Sequence, residues 1–243
     1  MDYARLPDPV VIDRSGEILT FTLNNAAAGN EITAPMFDAM IAVLRSEATL
    51  PTARVLRIRA SGETFCTGRE RAGTDAVSIH REVSRLIELK RLLRVSPMIS
   101  IAEVQGDALG FGFGLAILCD FTLVAGSAKL AFPEMRKGLP PAAIMAYLGR
   151  YALPKQVFPM LLFGDAITPD AALAAGLVTR VCAPDALQAD TDALVERILS
   201  LDETGARQCK SFFQSAEESS LEHNFRCATE TLTVSALRLM ASK

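Results

Sequence analysis

Residues 106–114 read Gly106-Asp-Ala-Leu-Gly-Phe-Gly-Phe-Gly114, and this stretch decides how the chain is interpreted. An apolar, strand-like run precedes it, and Leu-Ala-Ile-Leu-Cys-Asp120 follows it. Glycines between a strand and a helix let the backbone approach a ligand closely, and the helix start presents unpaired N–H groups with a partial positive charge. The pattern predicts an anion or oxyanion site, and a lone carboxylate, Glu134, lies twenty residues beyond Gly114.

The composition predicts a folded chain without a surface suited to binding nucleic acid. Its 243 residues are half apolar, which is enough for one buried core with a small appended element. The net charge is −3 with acidic and basic residues interspersed, so no basic surface is predicted for a phosphate backbone. We therefore expect no nucleic-acid partner.

The cysteines and the N-terminal segment bear on compartment. Five widely spaced cysteines include no Cys-x-x-Cys pair, which predicts neither a disulfide framework nor a metal site and favours a reducing cytoplasm. The segment Met1–Pro9 lacks a basic region followed by an apolar run, and no later apolar run is long enough to span a membrane. We expect no membrane partner.

Alternating and helical hydrophobic patterns predict an α/β chain followed by helices. The predicted strands are a hairpin over residues 10–24 turning at 13–16, then 54–60, 97–104, 121–125 and 176–182. The predicted helices are one capped by Thr33 and ending near 48, then 75–95, a short one after the glycine loop, 141–151, 154–163, one starting at Thr168, 184–201 and 220–240. No strand is predicted beyond about residue 190.

Several motifs together carry a family resemblance that covers nearly the whole chain. They are Phe65-Cys-Thr-Gly-Arg-Glu70, Ala102 to Ala116 around the glycine loop, Cys119-Asp120, Phe132-Pro-Glu134, Gly138-Leu-Pro140, Leu162-Phe-Gly-Asp165 and Ala171 to Val181. With them the sequence resembles the enoyl-CoA hydratase/isomerase (crotonase) family. A dinucleotide-binding loop is the competing interpretation, but the spacing here is Gly-x-Gly-x-Gly, without Gly-x-Gly-x-x-Gly.

The resemblance implies a fold, an assembly and a substrate class. The fold would be a crotonase-like spiral of ββα units over residues 1–190, with a helical C-terminal region over 191–243 for packing and trimerisation. The assembly would be a homotrimer or a dimer of trimers. The substrate would be an acyl-CoA thioester, with coenzyme A as part of the substrate and no separate cofactor.

The resemblance also assigns roles in the site. The backbone N–H groups of Arg69 and Phe111 would hold the thioester oxygen as it becomes an enolate, and one such donor is worth roughly 3 kcal/mol of barrier. Glu134 would be a catalytic acid/base, since a carboxylate desolvated beside an acyl chain has a raised pKa suited to proton transfer. The second catalytic glutamate of the hydratases corresponds to Gly114, which has no side chain.

The missing glutamate favours an isomerase. Moving a double bond from the 3-enoyl to the 2-enoyl position needs one carboxylate that visits both carbons, whereas adding water uses two acid/base groups. Hydration, with Asp107 or a fixed water replacing the missing acid, and decarboxylation or another lyase reaction on the same enolate remain alternatives. A non-catalytic binding member of the family is a more distant one.

Substrate and CoA contacts are expected around the two loops. The residues that the resemblance places there are Ala28, Cys66, Thr67, Gly68, Arg71, Gly110 and Gly112. The stretch Ala26-Ala-Ala-Gly-Asn30 lacks the cation that family members commonly carry for the CoA phosphates, so Arg69 or Arg71 would have to supply that charge. Asp107 is interpreted mainly as a solvated loop residue that could act as an auxiliary acid.

Overall fold

A computed structural model of the chain describes residues 8–241. Its strands are β1 Val10–Ser15, β2 Ile18–Leu23, β3 Val55–Ala60, β4 Ile99–Val104, β5 Ala108–Leu109, β6 Phe121–Ala125, β7 Leu130–Ala131 and β8 Arg180–Cys182. Six of them form one sheet in the order β1-β2-β3-β4-β6-β8, in which only β1 and β2 are antiparallel. A second, two-stranded parallel sheet joins β5 and β7.

Helices cover both faces of the larger sheet, as the predicted α/β class requires. They are α1 Ala34–Thr49, α2 Ala76–Arg94, α3 Phe111–Leu118, α4 Ala142–Leu148, α5 Pro154–Phe163, α6 Pro169–Ala174, α7 Leu187–Leu199, α8 Glu203–Ala216 and α9 Leu221–Ala241. Short 3-10 helices span Ala26–Ala28 and Pro133–Lys137.

The period-two alternation of the strands sorts their side chains between two apolar clusters. In β3, Val55 joins the cluster formed with α7, while the next residue, Leu56, joins the main core. In β4, Ile101 and Ala102 divide in the same way. Because successive side chains of a strand point to opposite faces, these short runs are apolar on both sides, as in parallel sheets covered by helices.

The structure departs from the predicted elements in three places. The hairpin turns at Gly16, since residues 13–15 still pair with β2. The two-residue strands β5 and β7, which are too short to show an alternation, were not predicted. Helix α8 was also not predicted, and neither it nor α9 has a fully buried residue among those described.

Polar contacts hold the C-terminal helical region to the core in addition to the apolar packing of Val195 and Ile198. Arg54 donates to the carbonyl oxygens of Ile198, Leu199 and Leu201 at 2.7–3.3 Å. Lys210 Nζ forms an ion pair of 2.7 Å with Asp120. The proposed division at residue 190 stays a prediction, and residues 1–7 and 242–243 of the two predicted regions lie outside the described residues.

Candidate active site

Two loop segments lie side by side and bring the predicted oxyanion amides to one edge. Cys66 pairs with Ala108 in parallel fashion, with Cys66 N–H donating to Asp107 O at 3.1 Å and Leu109 N–H donating to Cys66 O at 2.8 Å. Arg69 lies three residues after Cys66, and Phe111 lies three after Ala108. Each candidate amide therefore lies three residues beyond a residue of the Cys66–Ala108 pair.

Neither amide donates to a backbone oxygen within residues 8–241. A bridge to Ile32 uses the groups that flank Arg69, because Ile32 N–H donates to Gly68 O and Glu70 N–H donates to Ile32 O. In an extended segment, successive N–H groups point to opposite sides, so the Arg69 N–H faces away from Ile32. Phe111 is the first residue of α3, where an N–H has no acceptor within the helix.

Gly110 forms the start of α3 and must be glycine for two reasons. Its φ of 51° lies in the left-handed region, which disfavours residues with a Cβ. A Cβ built at Gly110 would lie 2.8 Å from Glu134 Oε1, so a side chain would collide with the carboxylate. The glycine therefore lets the carboxylate lie directly against the helix start.

Glu134 lies in the 3-10 helix Pro133–Lys137. Its Oε2 is buried and has no hydrogen-bond partner among the described residues. Burial raises the pKa of Glu134 above its usual value, although its own backbone amide and the charges of Lys90, Arg71 and Lys137 partly oppose this. A carboxyl with a raised pKa on the wall of a cavity can accept and return a proton.

The space beside Gly114 is filled by a lysine and a tyrosine from other helices. A Cβ at Gly114 would lie 2.6 Å from the hydroxyl of Tyr147 and 3.1 Å from Nζ of Lys90. Lys90 Nζ donates to the Tyr147 hydroxyl at 2.9 Å, and that hydroxyl donates to Gly114 O at 2.7 Å. Polar groups that are not carboxylates therefore occupy the position where a glutamate side chain would start.

A cavity of about 410 Å³ joins these features and falls within the size range of small-molecule sites. Its wall combines the two loops, α2, the 3-10 helix and the start of α4. The charged members are Glu31, Arg69, Arg71, Glu82, Lys90, Glu134 and Lys137, and the apolar members include Ile79, Val83, Leu86, Phe111, Leu139 and Ile144.

Some of the residues predicted to contact substrate or CoA line this cavity, and others lie outside its wall. Thr67, Gly68, Arg69, Arg71, Gly110 and Phe111 are in the wall, whereas Ala28, Cys66, Asp107 and Gly112 are not. Asp107 accepts a hydrogen bond from Lys129 N–H at 2.9 Å, which ties together the turns before β5 and β7. Burial raises the pKa of the Cys66 thiol to about 12, consistent with a packing role.

The candidate phosphate-binding side chains differ in whether they are already paired with a carboxylate. Arg69 lies 3.4 Å from Glu82 in an ion pair that is largely shielded from solvent. Arg71 is exposed and forms no ion pair among the described residues, and Lys137 is exposed at another part of the same wall. Arg71 and Lys137 are therefore better placed than Arg69 to meet an anionic ligand.

Lys90 and Tyr147 were not singled out from the sequence. Lys90 belongs to the stripe Leu86, Leu89, Lys90 and Leu93, which is the buried face of α2. A lysine at the helical spacing of an apolar stripe is the signal that could have identified it. Tyr147 lies on α4, where an isolated tyrosine offers no such signal.

Two other kinds of feature are absent from residues 8–241. No group of three or more His, Cys, Asp or Glu side chains there could hold a metal ion. Over the same residues, no helix combines the length and apolarity needed to cross a bilayer.

The described residues thus place a half-buried carboxylate against a glycine-rich helix start on the wall of one cavity. A family model described as enoyl-CoA hydratase/isomerase matches residues 13–236. The chain belongs to this family of acyl-CoA enzymes, which confirms the resemblance and the crotonase-like fold.

Relatives in sequence and structure agree with this assignment. The chain is 27% identical over 226 residues to the mitochondrial enoyl-CoA hydratase domain-containing protein 3 of Xenopus laevis, covering 91% of this chain and 77% of that protein. It is 29% identical to the crotonyl-CoA hydratase of Syntrophomonas wolfei, covering 83% of this chain and 80% of the relative.

Solved structures superimpose over almost the whole chain. The enoyl-CoA hydratase of Mycobacterium smegmatis aligns with a TM-score of 0.89 at 27% identity, over 93% of this chain and 90% of that one. A Thermobifida fusca protein solved in complex with CoA aligns with a TM-score of 0.87 at 26% identity, over 97% and 95% of the two chains.

Proposed function

We propose that this protein is an enoyl-CoA isomerase that converts a 3-enoyl-CoA into the 2-enoyl-CoA. The observation that carries the proposal is the single carboxylate lying against the helix start at Gly110, with no side chain at Gly114. A 1,3-proton shift needs one group that can take a proton from one carbon and return it to another. Glu134, with its raised pKa and unpaired oxygen, has the properties of such a group.

The reaction divides into two proton transfers at Glu134. In the first, the carboxylate takes a proton from C2, and the electron pair of that bond moves into the thioester to form a dienolate with negative charge on its oxygen. The Arg69 and Phe111 amides would stabilise this charge together with the dipole of α3. In the second, Glu134 returns the proton to C4, and the double bond comes to lie between C2 and C3.

Hydration is the second candidate. Lys90 and Tyr147 place an amine and a hydroxyl beside Gly114, so the second polar group that hydration requires could be other than a carboxylate. Hydratases also dominate the names of the relatives, including the crotonyl-CoA hydratase of Syntrophomonas wolfei. Asp107 is less suited to that role because its carboxylate is bonded to Lys129 N–H outside the cavity wall.

Arg71 and Lys137 are the cations that we propose for the CoA phosphates. Both lie on the cavity wall and neither forms an ion pair within the described part of the chain. A charge-assisted hydrogen bond to phosphate is stronger than one between neutral groups, so these side chains could replace the cation absent from residues 26–30.

We also propose a homotrimer or a dimer of trimers, located in the cytoplasm. Helices α8 and α9 have no fully buried residue among those described, yet they carry large exposed apolar side chains such as Phe213, Phe225 and Leu232. An exposed apolar patch of this kind commonly marks an interface. The five cysteines of the chain are all free, which fits a reducing compartment.

The discriminating experiment compares turnover of 3-hexenoyl-CoA and 2-hexenoyl-CoA by the same preparation. The proposal predicts rapid formation of 2-hexenoyl-CoA from the first substrate and little 3-hydroxyhexanoyl-CoA from the second. Hydration of 2-hexenoyl-CoA at a rate near that of isomerisation would instead support the hydratase. If neither thioester reacts, the non-catalytic binding interpretation gains support.

A further inference from the structure

Lys90 is a buried cation on the wall of the acyl cavity, and neither the proton shift nor the oxyanion site uses it. The residue is 5% exposed and lies on the apolar face of α2. Its ammonium group also lies against two aromatic rings, 5.3 Å from the ring centre of Phe111 and 4.7 Å from that of Tyr147. Burying a charge costs several kcal/mol unless it is paired and hydrogen-bonded, so this placement needs an explanation.

The protein satisfies only part of the hydrogen-bonding capacity of this ammonium. Tyr147 donates its hydroxyl proton to Gly114 O, so its oxygen accepts from Lys90. An ammonium group has three N–H donors, and the described residues provide no second acceptor. Two donors therefore remain for a ligand in the cavity.

No carboxylate within residues 8–241 forms an ion pair with Lys90. The nearest acid in electrostatic terms is Glu134, which raises the pKa of Lys90 while burial lowers it, to about 7 in total. The other acids on this wall are Glu31 and Glu82, and Glu82 is held by Arg69 and by the Ala72 N–H. The cavity wall thus contains a buried lysine whose ammonium form has no ion-pair partner among the described residues.

We propose that Lys90 selects acyl-CoA thioesters whose acyl chain carries a second carboxylate, that is, monothioesters of short dicarboxylic acids. The proposal rests on the proposed function only in assuming that an acyl-CoA occupies this cavity. A carboxylate on the acyl chain would accept the two free N–H groups of Lys90 and supply the missing negative charge.

Lys90, on α2, lies beside α3, and the point of α3 that it reaches sets the length of the acyl chain that fits. The predicted oxyanion end of the cavity is at Gly110 and Phe111, whereas Lys90 Nζ lies 3.1 Å from the point where a Cβ of Gly114 would be. Four residues of α-helix correspond to about 6 Å along the axis. A carboxylate that reaches this depth from the thioester belongs to an acyl chain of about five carbons, for which glutaryl-CoA is a suitable probe.

The test is a calorimetric comparison, at about pH 6 where Lys90 is protonated, of glutaryl-CoA with pentanoyl-CoA, which has the same number of carbons and no carboxylate. Both acyl chains are saturated, so binding is measured without turnover. We expect the wild-type protein to bind glutaryl-CoA about tenfold or more tightly, the effect of a hydrogen bond to a charged group. In Lys90→Met, this preference should disappear, since the cation is removed while an unbranched apolar chain remains.

Two further variants control the experiment. Lys155→Met removes an exposed lysine outside the cavity wall and should retain the preference for glutaryl-CoA. Tyr147→Phe retains the ammonium but removes its protein hydrogen bond, and it should also retain the preference. The wild-type protein alone can refute the proposal, by binding the two thioesters with equal affinity. The test therefore does not depend on Lys90→Met being stable.

Each result has a defined meaning. Equal affinity of the wild-type protein for the two thioesters, or a preference that survives in Lys90→Met, would overturn the role of Lys90 and leave the isomerase proposal intact. Failure of both thioesters to bind would overturn the acyl-CoA cavity together with Lys90 selectivity. If Lys90→Met slowed turnover of charged and uncharged substrates equally, Lys90 would instead be assigned to proton transfer.

Discussion

Replacing Lys90 by methionine should stabilise the protein at low pH, because the change removes a charge that folding must desolvate. Burial lowers the pKa of Lys90 from 10.5 to about 7. Below pH 7 the lysine is protonated in both the folded and the unfolded state, and the folded state bears the full cost of the buried ammonium. Between pH 7 and 10.5 only the unfolded chain holds the proton, so wild-type stability rises with pH across that window.

The magnitude follows from the size of the pKa difference. At about 1.4 kcal/mol per unit, the lowered pKa corresponds to a cost of about 5 kcal/mol below pH 7. The variant loses the hydrogen bond from Lys90 to Tyr147, which offsets about 1 kcal/mol of the gain. We therefore expect Lys90→Met to be more stable by about 4 kcal/mol at pH 6, a rise in Tm on the order of 10 °C.

The assay is urea unfolding of both proteins at pH 6 and pH 10. The groups facing Lys90 are Glu134 and Tyr147, and both are present in the two proteins. Removing Lys90 also raises the pKa of Glu134 further, because the charge of the lysine partly opposes the effect of burial on that carboxyl. The stability gain should be large at pH 6 and small at pH 10. A variant that is less stable than wild type at pH 6, or a gain that is the same at both pH values, would refute the reasoning. Lys155→Met should show no such dependence.

Three further changes test other parts of the site. Glu134→Gln should lower kcat by roughly 10² to 10⁴ while largely preserving CoA thioester affinity, as measured by steady-state kinetics and calorimetry. The same variant should be more stable than wild type at pH 8 and lose that advantage towards pH 4, because burial raises the pKa of Glu134 and the folded state resists its ionisation. Gly114→Ala should cost roughly 1–3 kcal/mol in urea unfolding, since its Cβ would lie 2.6 Å from the Tyr147 hydroxyl; unchanged stability would show that the space is open. Arg71→Ala should raise KM for acyl-CoA with little effect on kcat, and an unchanged KM would exclude Arg71 from phosphate binding.

The sheet and most helices could be predicted because their hydrophobic patterns are strong and local. The run of residues 54–60 alternates in the sequence and forms β3 at Val55–Ala60. The long helix predicted for 75–95 forms as Ala76–Arg94, with Asp75 accepting hydrogen bonds from the Val77 and Ser78 amides. Helix α8 was not predicted although its sequence is amphipathic, and no residue of its apolar face is fully buried in the described structure.

Site residues in local sequence motifs could likewise be predicted, whereas those brought together only by the fold could not. Glu134 and the amides of Arg69 and Phe111 could be proposed because each lies in a motif that the family resemblance identifies. The pair of Lys90 and Tyr147 could not, since its two residues are 57 apart in sequence and meet only when α4 packs beside α2. The sequence shows that Gly114 has no side chain, but it does not show that Lys90 and Tyr147 fill the space beside it.

The central claim is that one carboxylate moves the proton, and the fate of a deuterium label tests this most directly. The substrate is 3-hexenoyl-CoA with deuterium at both C2 positions, incubated with the wild-type protein in ordinary water. We expect the 2-hexenoyl-CoA formed to carry deuterium at C4, because the half-buried Glu134 carboxyl returns the deuteron that it removed. A product whose C4 has gained hydrogen only from water would show that the carboxyl does not keep and return that deuteron.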